Sequence, residues 1–141
     1  MIGGLVAAAC ALVAATAVGL GWMVRNGRVR TAAADGAKAV PGLTQADLGA
    51  ALGNRATLVQ FSSAFCAPCR ATRQILGDVA GIVDGVAHVE IDAESRLDLV
   101  RRLDVRRTPT TLVLDPDGKI THRASGQPRK ADVIAALGTV V

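Results

Sequence analysis

The chain has no tyrosine and only three aromatic residues among its 141: Trp22, Phe61 and Phe65. Any core must therefore be built mainly from Val, Leu, Ile and Ala. The scarcity also argues against a nucleic-acid surface, which pairs a basic stripe with interleaved aromatics. Cysteine is equally sparse, with Cys10, Cys66 and Cys69. One close pair and a distant third are not the framework of a disulfide-stapled secreted domain. Charge is absent from residues 2 to 24. The net charge of +4 is uneven: Arg25, Arg28, Arg30 and Lys38 against Asp35 supply most of it, leaving the remainder close to neutral. There are no internal repeats and no low-complexity tract.

The uncharged run of 23 residues would form a helix of roughly 35 Å, enough to cross a hydrocarbon core of about 30 Å. A cleaved signal peptide is the competing reading, but it calls for a basic n-region, and only Met1 precedes the run. A membrane anchor over residues 1–24 is the expectation. Arg25, Arg28 and Arg30 follow the span, so the positive-inside rule puts the C-terminal part in the cytoplasm of a single-pass protein, with Trp22 at the interface. Cys10 reads as a small apolar residue within the span. Residues 25–42, with Gly27, Gly36, Pro41 and Gly42, read as a basic juxtamembrane linker. If flexible, it would span on the order of 23 Å.

From residue 43 helical and strand patterns alternate. Thr44 caps an expected helix over residues 45–52, closed by Gly53. A strand covers 56–61. A helix starting near Cys66 turns Ile75, Leu76, Val79 and Val83 inward, and a strand covers 86–92 with Val86, His88 and Glu90 on one face. Ser95 caps a helix reaching Leu103. Strands at 110–114 and 119–124 flank the turn Asp115-Pro116-Asp117-Gly118, and a last helix from about Pro128 to Leu137 buries Val133, Ile134 and Leu137. The first two strands, joined through a helix, should run parallel, and the hairpin adds antiparallel strands. The fold class is α/β: a three-layer α/β/α sandwich with a mixed central sheet over 43–141.

Phe65-Cys66-Ala67-Pro68-Cys69 is the chemical centre. Two thiols two residues apart at a helix start can close a disulfide or open to a dithiol. The helix's positive end favours a thiolate on the first, lowering a thiol pKa from about 8.5. Pro68 falls in the first turn, where a missing N–H is harmless.

These residues resemble the thioredoxin family across about 43 to 141. The marks are Phe-Cys-Ala-Pro-Cys at 65–69, Asp92 at the end of the second strand, Val105-Arg106-Arg107-Thr108-Pro109-Thr110, the Asp115 to Gly118 turn, and Gly126 before the last helix. The resemblance implies a thiol–disulfide oxidoreductase in which Cys66 is the nucleophile and Cys69 the resolving cysteine. It implies a cis-proline at Pro109, with Phe65, Thr108 and Pro109 binding substrate and Ala67, Pro68, Gln60 and His88 supporting the site. Ala-Pro between the cysteines resembles the Gly-Pro of reducing members more than the His-containing dipeptides of strong oxidants. Implied partners are protein disulfides, an electron donor such as a thioredoxin reductase, and the membrane through residues 2–24; nucleic acid, metal and organic cofactor are not implied.

The chain departs from the family at three places. Phe65 stands where Trp is usual. Gln60 stands where the family has a buried carboxylate thought to deprotonate the second cysteine, and an amide cannot serve as that base. His88 stands where lysine is frequent; a titrating imidazole is one reading and a hydrogen-bonded sheet histidine the other. His122 is expected at the surface. Two other readings of the whole chain stay open: an extracytoplasmic thioredoxin for disulfide repair or cytochrome maturation, and a C-x-x-C metal-binding or adaptor module. The latter has only two soft ligands, where a structural zinc site wants four.

Overall fold

The apolar run before the cysteine pair has no solvent face, because both sides of the strand it forms are covered. In the computed structural model, which describes residues 2–34 and 42–141, Ala56–Ser62 (β2) is buried at every position. It pairs in parallel with Val86–Asp92 (β3), from Ala56↔Val86 to Ser62↔Asp92, and antiparallel with Thr110–Leu114 (β4). Ile120–Ser125 (β5) returns along β4 through the expected turn, where the Gly118 N–H donates to Asp115 C=O at a φ of +82°. A two-residue strand, Arg30–Thr31 (β1), pairs antiparallel with β5, giving the order β1-β5-β4-β2-β3.

Alternate side chains of β2 feed two cores. Val59 and Phe61 point to one face, with Leu43 and Leu48, Leu99 and Leu103, Val89, Ile91, Leu112 and Leu114. Burying Phe61 contributes about 1.5–3 kcal/mol. Ala56 and Leu58 point to the other, against Leu76, Val79, Val113, Val133, Ala136 and Leu137. The first face is covered by Gln45–Leu48 (α2) and Leu97–Arg102 (α4), the second by Ala67–Ile82 (α3) and Lys130–Leu137 (α5). This is the expected three-layer mixed sheet.

Several local expectations shift. Helix α2 stops at Gly49, which adopts φ +66° and returns its N–H to Gln45 C=O, so residues 50–53 are not helical. Thr44 caps it as expected, and Asp47 completes a reciprocal capping box. Ser95 does not cap α4; its hydroxyl donates to Asp92, and the helix begins after Arg96. Helix α5 begins at Lys130 rather than Pro128. Ile134 is exposed, because the buried stripe of α5 is Val133, Ala136 and Leu137 and Ile134 lies about 100° round from Val133. His122 is half-buried in β5, its Nδ1 3.1 Å from the Thr121 hydroxyl.

Ile2–Arg25 (α1) stands apart from these layers. Residues 3–25 are exposed along their whole length, and the helix is long and apolar enough to cross a membrane, a test that a signal sequence also passes. The segment after it is not simply a linker. Gly27 N–H donates to Ser125 C=O, Val29 packs against the α3–α5 core, and Ala32 N–H donates to Thr121 C=O. Residues 27–32 belong to the sheet edge; residues 35–41 of the expected linker lie outside the described residues.

Candidate active site

Helix α3 begins where β2 leaves the sheet, and its first turn carries the cysteine pair. Cys66 is the N-cap, its backbone still extended, and its Sγ accepts the Cys69 N–H at 3.2 Å. Pro68 sits in the first turn. The Thr72 hydroxyl, buried one turn on, donates to Pro68 C=O. Cys66 and Cys69 are joined by a disulfide. The two sulfurs differ in access: Cys66 is partly exposed, whereas Cys69 is 1% exposed beneath the helix start. Cys10 is free, on the exposed surface of α1.

Phe65 precedes the pair in the left-handed region, at φ +57°, with its ring fully exposed. A non-glycine residue held there costs on the order of 1–3 kcal/mol, and such strain gathers at functional sites. The Thr108–Pro109 bond is cis. The Thr108 and Ser63 hydroxyls lie 2.7 Å apart, tying this loop to the end of β2, and Pro109 C=O accepts from Gly126 N–H. Neither the N–H nor the C=O of Thr108 pairs with another backbone group of the described residues, so both can meet an extended chain.

Beneath the pair, Gln60 is fully buried and fully bonded. Its side-chain nitrogen donates to Cys69 C=O at 2.8 Å and to Ser62 Oγ at 2.9 Å. Because a backbone carbonyl only accepts, this fixes the amide orientation and turns Gln60 Oε1 toward His88 Nε2 at 3.1 Å. His88 Nε2 therefore carries a proton and donates it. Burial, first, holds the His88 pKa below its usual value; Glu90 opposes that and Arg73 reinforces it. His88 thus acts as a neutral hydrogen-bonded sheet histidine engaged with Gln60.

The network reaches further than the spacing of the cysteines suggests. Glu90 stands across from Gln60 in the parallel register and receives Arg73 of α3 through two hydrogen bonds, at 2.6 and 2.7 Å. Hydrogen bonds from Arg73, first, and from Ser62 hold its carboxyl below the usual range, with burial opposing. Ser62, Ser63, Ala64, Arg73, Glu90 and Asp92 line an open cleft of about 440 Å³ at this edge. The signal for Ser62 and Glu90 is present in the sequence: Gln60 and Ser62 are alternate polar residues on one face of a central strand, opposite Glu90 and Asp92. Among the described residues, no group of three or more His, Cys, Asp or Glu side chains is placed to hold a metal.

The profile of the thioredoxin family matches residues 40–139. The chain belongs to the thioredoxin family. Thioredoxin from Mycoplasma pneumoniae is 27% identical over 81 residues, covering 57% of this chain and 78% of that protein. Thioredoxin H5 from Oryza sativa subsp. japonica is 25% identical over 72 residues, covering 51% of this chain and 53% of its own length. Among solved structures, a point-mutant thioredoxin from Halobacterium salinarum superposes with a TM-score of 0.57 at 21% identity, over 62% of this chain and 75% of that one. Spinach chloroplast thioredoxin f gives 0.55 at 18% identity, over 62% and 78%. What these structures share with the chain is the α/β sandwich. With its Cys-x-x-Cys pair, the thioredoxin domain is a thiol–disulfide oxidoreductase, and protein disulfides are the kind of partner on which it acts.

Proposed function

We propose that this protein is a membrane-tethered reductase of protein disulfides, with Cys66 as nucleophile and Cys69 as resolving thiol. The observation that carries the assignment is the unequal access of the two sulfurs: Cys66 partly open at the N-cap, Cys69 buried one turn in. In the dithiol form, the Cys69 N–H and the helix's positive end favour a Cys66 thiolate. That thiolate attacks one substrate sulfur. The substrate S–S bond breaks, a Cys66–substrate disulfide forms, and the other substrate sulfur leaves as a thiolate and takes up a proton. Cys69 then loses its proton and attacks Cys66 Sγ. The mixed disulfide breaks, the second substrate sulfur leaves and is protonated, and the Cys66–Cys69 disulfide closes. Two electrons have passed to the substrate; a dithiol donor such as a thioredoxin reductase supplies two more, reopening the Cys66–Cys69 disulfide as the donor is oxidised.

Phe65 offers a flat apolar contact and Thr108 its free backbone groups to the substrate segment, with Pro109 at its side. Gln60 and His88 support the site through the Cys69 carbonyl. The exposed apolar helix α1 anchors the protein in the membrane, and Arg25, Arg28 and Arg30 favour the cytoplasmic face for the domain. Replacing Cys69 by Ser should trap a mixed disulfide with insulin chains, while Cys66→Ser should abolish both trapping and turnover; undiminished insulin reduction by C66S would end the assignment. Protease accessibility of the domain in sealed vesicles of known sidedness separates the cytoplasmic placement from the extracytoplasmic one.

A further inference from the structure

The end of α1 and the substrate-binding loops meet at one end of the sheet. Helix α1 runs to Arg25, Asn26 N–H still donates to Trp22 C=O, and the next residue, Gly27, is already bonded to Ser125 C=O. The junction is close-fitting. A Cβ on Gly27 would lie 1.8 Å from Gln127 C=O, and one on Gly126 2.4 Å from Asn26 Oδ1, which is buried there. The same short loop holds the site: Gly126 N–H donates to Pro109 C=O, and Arg107 Nη2 donates to Ser125 C=O at 2.9 Å. Strands β5 and β2 each run antiparallel to β4, so Ser125 and Ser62 end on the same side of the sheet. Two strand spacings separate them, about 10 Å. Cys66 follows Ser62 by four residues. With one more backbone hydrogen-bonded step of about 5 Å from Gly27 to Ser125, and at most about 13 Å for the four residues from Ser62 to Cys66, the dithiol lies within about 30 Å of the end of α1.

We infer that this junction is a specificity device: it holds the dithiol face at the bilayer and directs the enzyme to disulfides displayed close to the membrane surface by membrane-resident proteins. The inference rests on α1 being a membrane anchor. A domain on a free 18-residue linker would sample a volume with a radius on the order of 23 Å and reach soluble and membrane substrates alike. Here no free residues separate the helix from the fold. Arg25, Arg28 and Arg107 place positive charge at the same end, which suits an anionic surface. The substrate class is therefore set by height above the bilayer as well as by contacts to Phe65 and Thr108.

The test uses the full chain in phosphatidylcholine–phosphatidylglycerol vesicles, recovered by flotation. The probes are synthetic single-span peptides carrying a small disulfide loop on polyproline spacers of about 3 or 12 residues, roughly 9 and 37 Å long. The near probe should be reduced at least about tenfold faster than the far one, since effective concentration collapses when a tether cannot span the gap. Inserting about 24 Gly/Ser residues between Arg25 and Asn26 should bring the ratio toward one and leave reduction of soluble insulin unchanged. Dissolving the native vesicles in detergent should erase the ratio as well, and this arm does not depend on the insertion folding. Equal rates on the two probes by floated native protein, or a ratio that survives detergent, overturn the inference while anchoring stands. A chain that does not float with the vesicles removes the anchoring and the inference together.

Discussion

Gln60→Glu isolates what the buried amide does, because the two side chains have nearly the same shape and differ in one donor. Gln60 Nε2 gives its protons to Cys69 C=O and Ser62 Oγ, and Oε1 receives His88 Nε2–H. An ionised carboxylate at this position would set an anionic oxygen against Cys69 C=O, which has no proton to offer. A protonated carboxyl restores that bond as a donor. Burial also disfavours the charged form, by as much as 3–5 units for fully enclosed carboxyls. His88 offsets part of this, because its Nε2–H already faces the site and an imidazolium would pair with the carboxylate. We expect a net rise of about 2 units, and each unit is 1.36 kcal/mol.

The folded-state pKa being raised, the stability of Q60E is complete below the unfolded value near 4.3 and is lost as pH rises through the folded value. The variant should lie close to the parent at pH 4 and about 3 kcal/mol below it at pH 8. Pulse proteolysis across urea in mild detergent, on the oxidised full chain, reads this difference at each pH. A variant whose stability relative to the parent stays flat from pH 4 to 8 would show that Gln60 is not donating to the Cys69 carbonyl, and the site geometry given above would be wrong.

Other substitutions probe neighbouring parts. His88 is kept neutral by burial, so the unfolded chain binds its proton more readily than the fold; stability should rise with pH up to about 6.5, and His88→Asn should flatten that segment of the urea–pH profile. Phe65→Gly should relieve the left-handed backbone and raise the urea midpoint, by about 1 kcal/mol in stability, while raising KM for protein disulfides and leaving a small disulfide such as dithiobis(nitrobenzoate) little affected. Gly27→Ala forces a side chain onto Gln127 C=O at φ +76°; a loss of at least about 2 kcal/mol is expected, measured by the same proteolysis, and a neutral result would deny the α1 junction.

What was legible in the sequence follows the reach of each signal. The period-2 pattern of Val86–Asp92 and the apolar run before Cys66 are local and strong, and the parallel pairing of β2 with β3 follows from the helix between them. Helix ends were less legible. Gly49 and Gly53 are equally good stops by residue type, and the choice of Gly49 is made by where Leu48 must enter the core beside Leu43. Strand β1 carried no local signal at all. Arg30-Thr31 is two exposed residues in a basic segment, and it becomes a strand because the free edge of β5 accepts it, with Val29 packed against the core just before.

The same distinction governs the site. Cys66, Cys69 and Pro109 are recognisable because the chemistry requires those residue types at those places. The polar set beneath them is distributed over β2, β3 and α3, and its meaning depends on register: Gln60 is opposite Glu90 and Ser62 opposite Asp92. The Cys69 carbonyl takes a donor from beneath, and the Gln60 amide supplies it without charge. An uncharged Gln60 then needs a donor for its own oxygen, which a neutral His88 provides, and an acceptor for its second proton, which Ser62 provides. Ser62 in turn donates to Glu90, and Arg73 balances that carboxylate. Each bond thus fixes the next, so Gln60 and His88 are better understood as one hydrogen-bonded pair than as two independent side chains.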